Sequence, residues 1–142
     1  MSDFVDGLKS LHTALIDSRE GYKEALADAE GKGLTPLFRA FIELRTQHHA
    51  ELHGLLRDSG ESPDDSGSFM SVVHRSVIKV RSVFTGLDEN ILPGLIDGEK
   101  RIVEHYQDVE LLAPAPAARA VLARQRAAVA SKIVEMERMR KV

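Results

Sequence analysis

The amino-acid sequence predicts an all-α domain in which four long amphipathic helices surround one core. Three observations predict it. Apolar residues recur at spacings of three and four along four stretches, the repeat of a helix with one buried face. No stretch alternates apolar and polar residues as a half-buried strand does. Breaks rich in Gly or Pro separate the periodic stretches, as they do where one helix ends and the next begins.

The first helix starts at a Ser2 or Asp3 cap and carries Phe4, Leu8, Leu11, Leu15, Tyr22, Ala25 and Leu26 on one face. Gly31-Lys32-Gly33 ends it, with a glycine for the left-handed C-cap. Thr35 and Pro36 open the second helix as N-cap and first residue, ahead of Phe38, Phe41, Ile42, Leu52, Leu55 and Leu56. A loop rich in Gly, Ser, Asp and Pro runs from Ser59 to Ser68. A shorter helix follows, roughly Phe69 to Phe84, with Val72, Val73, Val77 and Val80 on one side, and Thr85-Gly86-Leu87-Asp88 breaks it. The third long helix runs from about Asn90 to Glu110, with Pro93 in its first turn, where the missing N–H does no harm. After Ala113-Pro114-Ala115-Pro116 the last helix turns Leu122, Val129, Ile133 and Met136 inward.

The 142 residues suit a single domain spanning 1–142, large enough to bury a core without staples. The absence of cysteine excludes disulfides, thiolate metal sites and cysteine nucleophiles. The N-terminus lacks the basic and apolar regions of a secretory signal, and no run approaches the ~18 apolar residues of a membrane span. A cytoplasmic protein without a membrane partner is expected. Net charge is −3 and unevenly spread: residues 117–142 carry seven basic and two acidic side chains, and residues 1–65 carry seven basic and thirteen acidic. The last helix offers no aromatics for nucleic-acid bases, and its Lys and Arg suit a helix C-terminus beside acidic neighbours. Nucleic acid is therefore not the expected partner.

Two of the three connections between long helices are short, which makes their helices antiparallel neighbours. The connection over residues 59–89 is long and holds the extra helix. It can return the chain to the starting end, so that the second and third long helices run parallel. One such crossover defines the ferritin-like topology. An up-down-up-down bundle, with the short helix as an appendage, is the alternative.

Polar side chains interrupt the apolar stripes. At about 100° per residue, Arg45 and His48 lie near the centre of the second helix's stripe, with His49 at its flank and Glu51 at its border. Glu99 shares a face with Ile91, Leu95, Ile102 and Tyr106. Gln125 falls among Leu122, Val129 and Met136, with Lys132 at the edge, while Arg19 and Tyr22 face inward from the first helix. In the parallel arrangement one layer holds Arg19, Arg45, Glu99 and Gln125, with Tyr22, His48 and Tyr106 nearby. An inward Glu99 requires a cation, and the Arg45 fork matches a carboxylate in two bonds.

These residues resemble a bacterial family of ferritin-like four-helix-bundle proteins known only as a domain of unknown function. The matching stretches are Asp17-Ser18-Arg19-Glu20-Gly21-Tyr22-Lys23-Glu24-Ala25, Leu37-Phe38-Arg39 and Ala50-Glu51-Leu52. Asp65-Ser66-Gly67-Ser68, His74-Arg75, Gly98-Glu99 with Tyr106, and Arg124-Gln125 complete them, so the resemblance covers nearly the whole chain. It implies the ferritin-like fold with a helical crossover and no assigned activity. More distantly the layout is similar to the di-iron ferritins and rubrerythrins, which hold two metals with four inward Glu and two Glu-x-x-His pairs. Here Glu99 fits one ligand, His48-x-x-Glu51 reverses the order, and the last helix has Gln125 and no histidine. The first helix offers Arg19 in place of a carboxylate. Two arginines beside a pair of divalent cations repel them.

The expected function is therefore that of a non-enzymatic bundle without cofactor, acting through contacts with an unknown protein partner or as a homodimer. The alternative is a metal-binding or redox bundle in which His48, Glu51 and Glu99 hold iron, zinc or manganese. Nothing supplies a nucleophile with its base or a Gly-rich phosphate loop. Gly98 is expected to let helices approach closely, and His12 and His53 to meet at the edge of the first helix pair.

If Arg45 balances a buried Glu99, Arg45→Ala destabilises the protein by roughly 3–5 kcal/mol. Urea unfolding measures the loss, and a near-neutral result removes the shared layer.

Overall fold

In the computed structural model the described residues are 3–29, 34–61 and 92–140. Among them the chain forms four α-helices and no strand: α1 (Asp3–Ala29), α2 (Thr35–Asp58), α3 (Leu92–Leu112) and α4 (Pro116–Arg140). The all-α expectation and the four long helices hold. The expected crossover helix from Phe69 to Phe84, the break after it and the Gly31-Lys32-Gly33 helix end lie outside the described residues. No described helix is long and apolar enough to cross a membrane.

The chain divides into two compact units, His12–Asp88 and Met1–Leu11 with Glu89–Val142, so that α1 contributes to both. In the first unit α1 and α2 are antiparallel. Going up α1, His12 meets His49, Ser18 meets Arg45 and Tyr22 meets Phe41, so the α2 numbers fall as the α1 numbers rise. Leu15, Ile16, Tyr22 and Ala25 are buried on α1, and Leu37, Phe38, Phe41, Leu52 and Leu56 on α2. Tyr22 stacks on Phe41 at 4.8 Å and meets Phe38 edge-on at 5.1 Å, the two geometries that aromatic quadrupoles favour.

The ends of α2 follow from local chemistry. Leu34, not Thr35, occupies the N-cap, and Pro36 falls in the first turn. Leu34 is buried, and its carbonyl accepts the Phe38 N–H at 3.0 Å, so core packing sets the helix start without a side-chain cap. At the other end Gly60 takes φ 84°. Its N–H donates to the Arg57 carbonyl at 2.9 Å, and the Glu61 N–H donates to Leu56 at 3.0 Å. That pair of bonds is the Schellman closure, which satisfies carbonyls that the helix leaves open.

In the second unit α3 and α4 pack antiparallel, with Lys100 near Glu137 and Tyr106 bonded to Gln125. Ala113 to Ala115 link them, and Pro116 opens α4, where proline is pre-organised for the first helical residue. Arg119 donates from Nη2 to the Ala113 carbonyl at 2.9 Å, satisfying an acceptor just beyond α3. Pro93 sits in the first turn of α3, as expected. The buried face of α3 is Leu92, Ile96, Glu99, Tyr106 and Val109. The expected stripe through Leu95 and Ile102 is half-buried, so the helix is rotated from the sequence reading. Val109 explains the rotation. Its Cγ2 lies 3.2 Å from where a Gly7 Cβ would stand, so the start of α1 closes over that side of α3. Gly98, expected to permit close packing, is exposed and meets nothing within 4 Å; Gly7 has that role.

The two glycines of the α2 C-terminal half respond oppositely to alanine. Gly60→Ala places a side chain at φ 84° and costs about 1–2 kcal/mol. Gly54→Ala, mid-helix with nothing within 4 Å, gains about 0.5–1 kcal/mol by limiting the unfolded chain. Thermal unfolding of both variants measures the difference, and a gain for Gly60→Ala contradicts the cap.

Candidate functional site

Each helix pair buries polar groups. On α2, Arg45 is fully buried and His48 is 4% exposed, so both sit inward as the helical repeat placed them. Arg45 Nε donates to Ser18 Oγ at 3.1 Å, and its guanidinium lies 5.4 Å from the centre of the Phe41 ring, within cation–π range. The side chain thus leans toward the N-terminal turn of its own helix, as long helical side chains do. Glu51, a turn beyond His48, is half-buried.

The sequence reading chose Arg19 as the inward residue of α1. Arg19 is instead half-buried at the margin, and its Nε and Nη2 donate to the adjacent Glu20 at 3.3 and 3.1 Å. Lys23 also reaches Glu20, at 3.9 Å. The residue that meets Arg45 is the neighbouring Ser18. Its signal was present: Leu15, Ser18 and Tyr22 are spaced by three and four, one continuous face.

In the other unit Glu99 is buried and shares the inward face of α3 with Tyr106, two turns on. The Tyr106 hydroxyl donates to Gln125 Oε1 at 2.7 Å, fully buried. Of the six residues assigned to the polar layer, the structure thus joins Tyr106 and Gln125 directly. Arg45 and Tyr22 belong to the unit of residues 12–88, as does Arg19, and Glu99 belongs with Tyr106 and Gln125.

Other contacts had no sequence signal. Arg126 grips Glu110 by two bonds, Nε to Oε2 at 2.6 Å and Nη2 to Oε1 at 3.2 Å. This fork joins α4 to α3 and uses one of the basic residues of the last helix, while Lys132 pairs with Glu135 on α4 itself. Burial lowers the pKa of His105, against the pull of Asp108 one turn away. Burial also raises Asp17, whose Oδ1 is sealed from solvent with no hydrogen-bond partner among the described residues.

A second polar group gathers on α1 and α2, from one turn of α2 beyond Arg45. The His12 and His49 rings are 4.3 Å apart, and His53 lies 6.0 Å from His12 and 6.3 Å from His49. The expected meeting of His12 with His53 is observed, and His49 joins them. Among the described residues no group of three His, Cys, Asp or Glu could hold a metal ion.

A family model described as "Domain of unknown function (DUF2383)" matches residues 3–110. The chain belongs to this family, whose description assigns no activity. No curated protein and no solved structure matches the chain.

The Asp17 carboxyl gives a pH signature. Its pKa is raised on folding, so its contribution is fully present below the ordinary value of 3.8 and is lost as pH rises through the folded value. Asp17→Asn escapes that loss. The variant is therefore more stable than the parent near pH 7 and matches it at about pH 3. Urea unfolding at both pH values checks this, and a constant difference between the two proteins contradicts it.

Proposed function

We propose that this chain is a ferritin-like four-helix bundle, with a short helix in the crossover between its second and third long helices. In this reading its interior polar residues replace the metal position of that architecture, and it acts in the cytoplasm through protein–protein contacts, including a homodimer, not as an enzyme. The observation that carries the reading is the fully buried guanidinium of Arg45. Guanidinium has only donors and does not lose its proton in proteins, so it cannot ligate a cation and repels one nearby. The bond between Tyr106 and Gln125 supports it further, because the α4 side chain in that position accepts from a neutral hydroxyl. Leu111 and Leu112 support the contact role. They stand 83% and 44% exposed at the end of α3, adjacent apolar side chains that a partner surface would cover.

The test has two arms. Protein incubated with iron(II) or manganese(II) under argon and desalted retains less than one equivalent by elemental analysis, and Glu99→Ala does not change that content. Stoichiometric iron, manganese or zinc that disappears in Glu99→Ala overturns this reading in favour of a site at His48, Glu51 and Glu99. In the second arm, sedimentation velocity finds a dimer that Leu111→Glu converts to monomer. A monomeric parent protein refutes the homodimer.

A further inference from the structure

The end where α3 turns into α4 is apolar and held rigid. Eight consecutive residues, 111–118, carry no polar side chain. Ala113 among them is buried, whereas Leu111, Pro114, Ala115 and Ala117 are exposed, Leu111 to 83%. Leu112 is covered in part, because its Cδ1 lies 3.8 Å from where a Gly7 Cβ would stand, and it is still 44% exposed. The Ala113 N–H donates to the Glu110 carbonyl at 3.2 Å, and the Arg119 N–H to the Ala115 carbonyl at 3.1 Å. Arg119 Nη2 closes the connection on the Ala113 carbonyl, and Pro114 and Pro116 fix their own backbone angles. A surface held this way loses little freedom when it is covered.

Charges of opposite sign border this end on the two helices. Asp108 lies three and four residues before Leu111 and Leu112, on the same face of α3. It is exposed and makes no salt bridge among the described residues. Arg119 is exposed on the first turn of α4 and uses one of its five N–H donors on the Ala113 carbonyl. Its guanidinium therefore lies against the connection and keeps donors for a carboxylate. Glu110, also at this end, is already gripped by Arg126.

We propose that this end joins two copies of the chain about a two-fold axis at Leu111, with Asp108 of each copy against Arg119 of the partner subunit. The inference rests on the homodimer reading above and gives that contact its geometry. A two-fold axis makes every contact twice, i to j and j to i. It lays α3 of one copy against α4 of the other, so the carboxylate border of each meets the guanidinium border of the other while the leucines meet at the centre. A second copy thus matches the surface in both respects, apolar on apolar and acid on base. The patch is small, so the dimer is weak and depends on concentration.

Sedimentation velocity of the full, tag-free chain over a concentration series measures the association. The parent dimerises in the high micromolar range. Asp108→Arg and Arg119→Asp each set like charges across the axis twice and weaken dimerisation at least about tenfold. Combined in one chain they exchange the signs and restore it to within about threefold of the parent. Arg119→Asp also loses the bond to Ala113, but the double variant loses it equally, so recovery reports the charge pair and not the fold. Arg138→Asp, exposed near the other end of α4, leaves the association unchanged. The chain has no cysteine, so Ala115→Cys supplies a lone thiol. A short bis-maleimide links two copies through that thiol and not through Ser131→Cys. A double variant as weak as the single ones, or linkage through position 131 in place of 115, overturns this contact and leaves the homodimer reading standing. A parent that stays monomeric at every concentration overturns both.

Discussion

The constraint that shapes this protein is a guanidinium with no access to water. Arg45 is fully buried in the middle of α2, and its charge cannot be removed by protonation chemistry. Taking such a charge out of water costs several kcal/mol unless oxygen acceptors and aromatic faces compensate. Around Arg45 the chain supplies a hydroxyl from Ser18 and the face of Phe41. Phe41 in turn is held flat by Tyr22, and Tyr22 is wedged by Phe38. The aromatic cluster of this helix pair is thus both hydrophobic core and lining for a cation. Fixing Arg45 also fixes the register between α1 and α2, because the Ser18 bond is made at one level only.

The other helix pair buries Glu99 and, beside it on α3, a hydrogen bond between neutral groups. Tyr106 and Gln125 satisfy each other across α3 and α4 at 2.7 Å, a bond made in the core, where an orphaned amide would be costly. At the margin the α3–α4 pairing uses charge instead, through the two-bond fork of Arg126 and Glu110. Forked geometry is what lifts such a pair above the small worth of ordinary surface ion pairs. The basic character of the last helix is accordingly spent in part on holding α4 to its neighbour.

Much of this was legible in the residues. Helix number and approximate ends follow from spacing and breaks, and Arg45, His48, Glu99 and Gln125 fall inward as the 100° repeat requires. Where the reading erred, it lacked a neighbour. Periodicity alone cannot choose between faces differing by one residue, and Leu95 and Ile102 are as apolar as Ile96 and Val109. The approach of α1 at Gly7 makes that choice, and it is a long-range contact. Ser18 was passed over for Arg19 because a charge draws notice, yet Arg19 had Glu20 beside it to remain at the margin. Gly60 lay in a stretch full of loop-forming residues, and only its dihedral distinguishes a helix cap from general loop character.

The α1–α2 pair gathers two polar groups, and one register sets both. At Ser18 and Arg45 a guanidinium is buried, so a second cation nearby would find repulsion without water to screen it. One and two turns further along α2 stand His49 and His53, whose rings gather with that of His12 from α1. The antiparallel register that brings Ser18 to Arg45 and Tyr22 to Phe41 is also what brings His12 level with His49. The polar contacts of this helix pair are thus not independent choices: a slip of α1 along α2 that broke the Ser18–Arg45 bond would also part the histidine rings and the Tyr22–Phe41 stack.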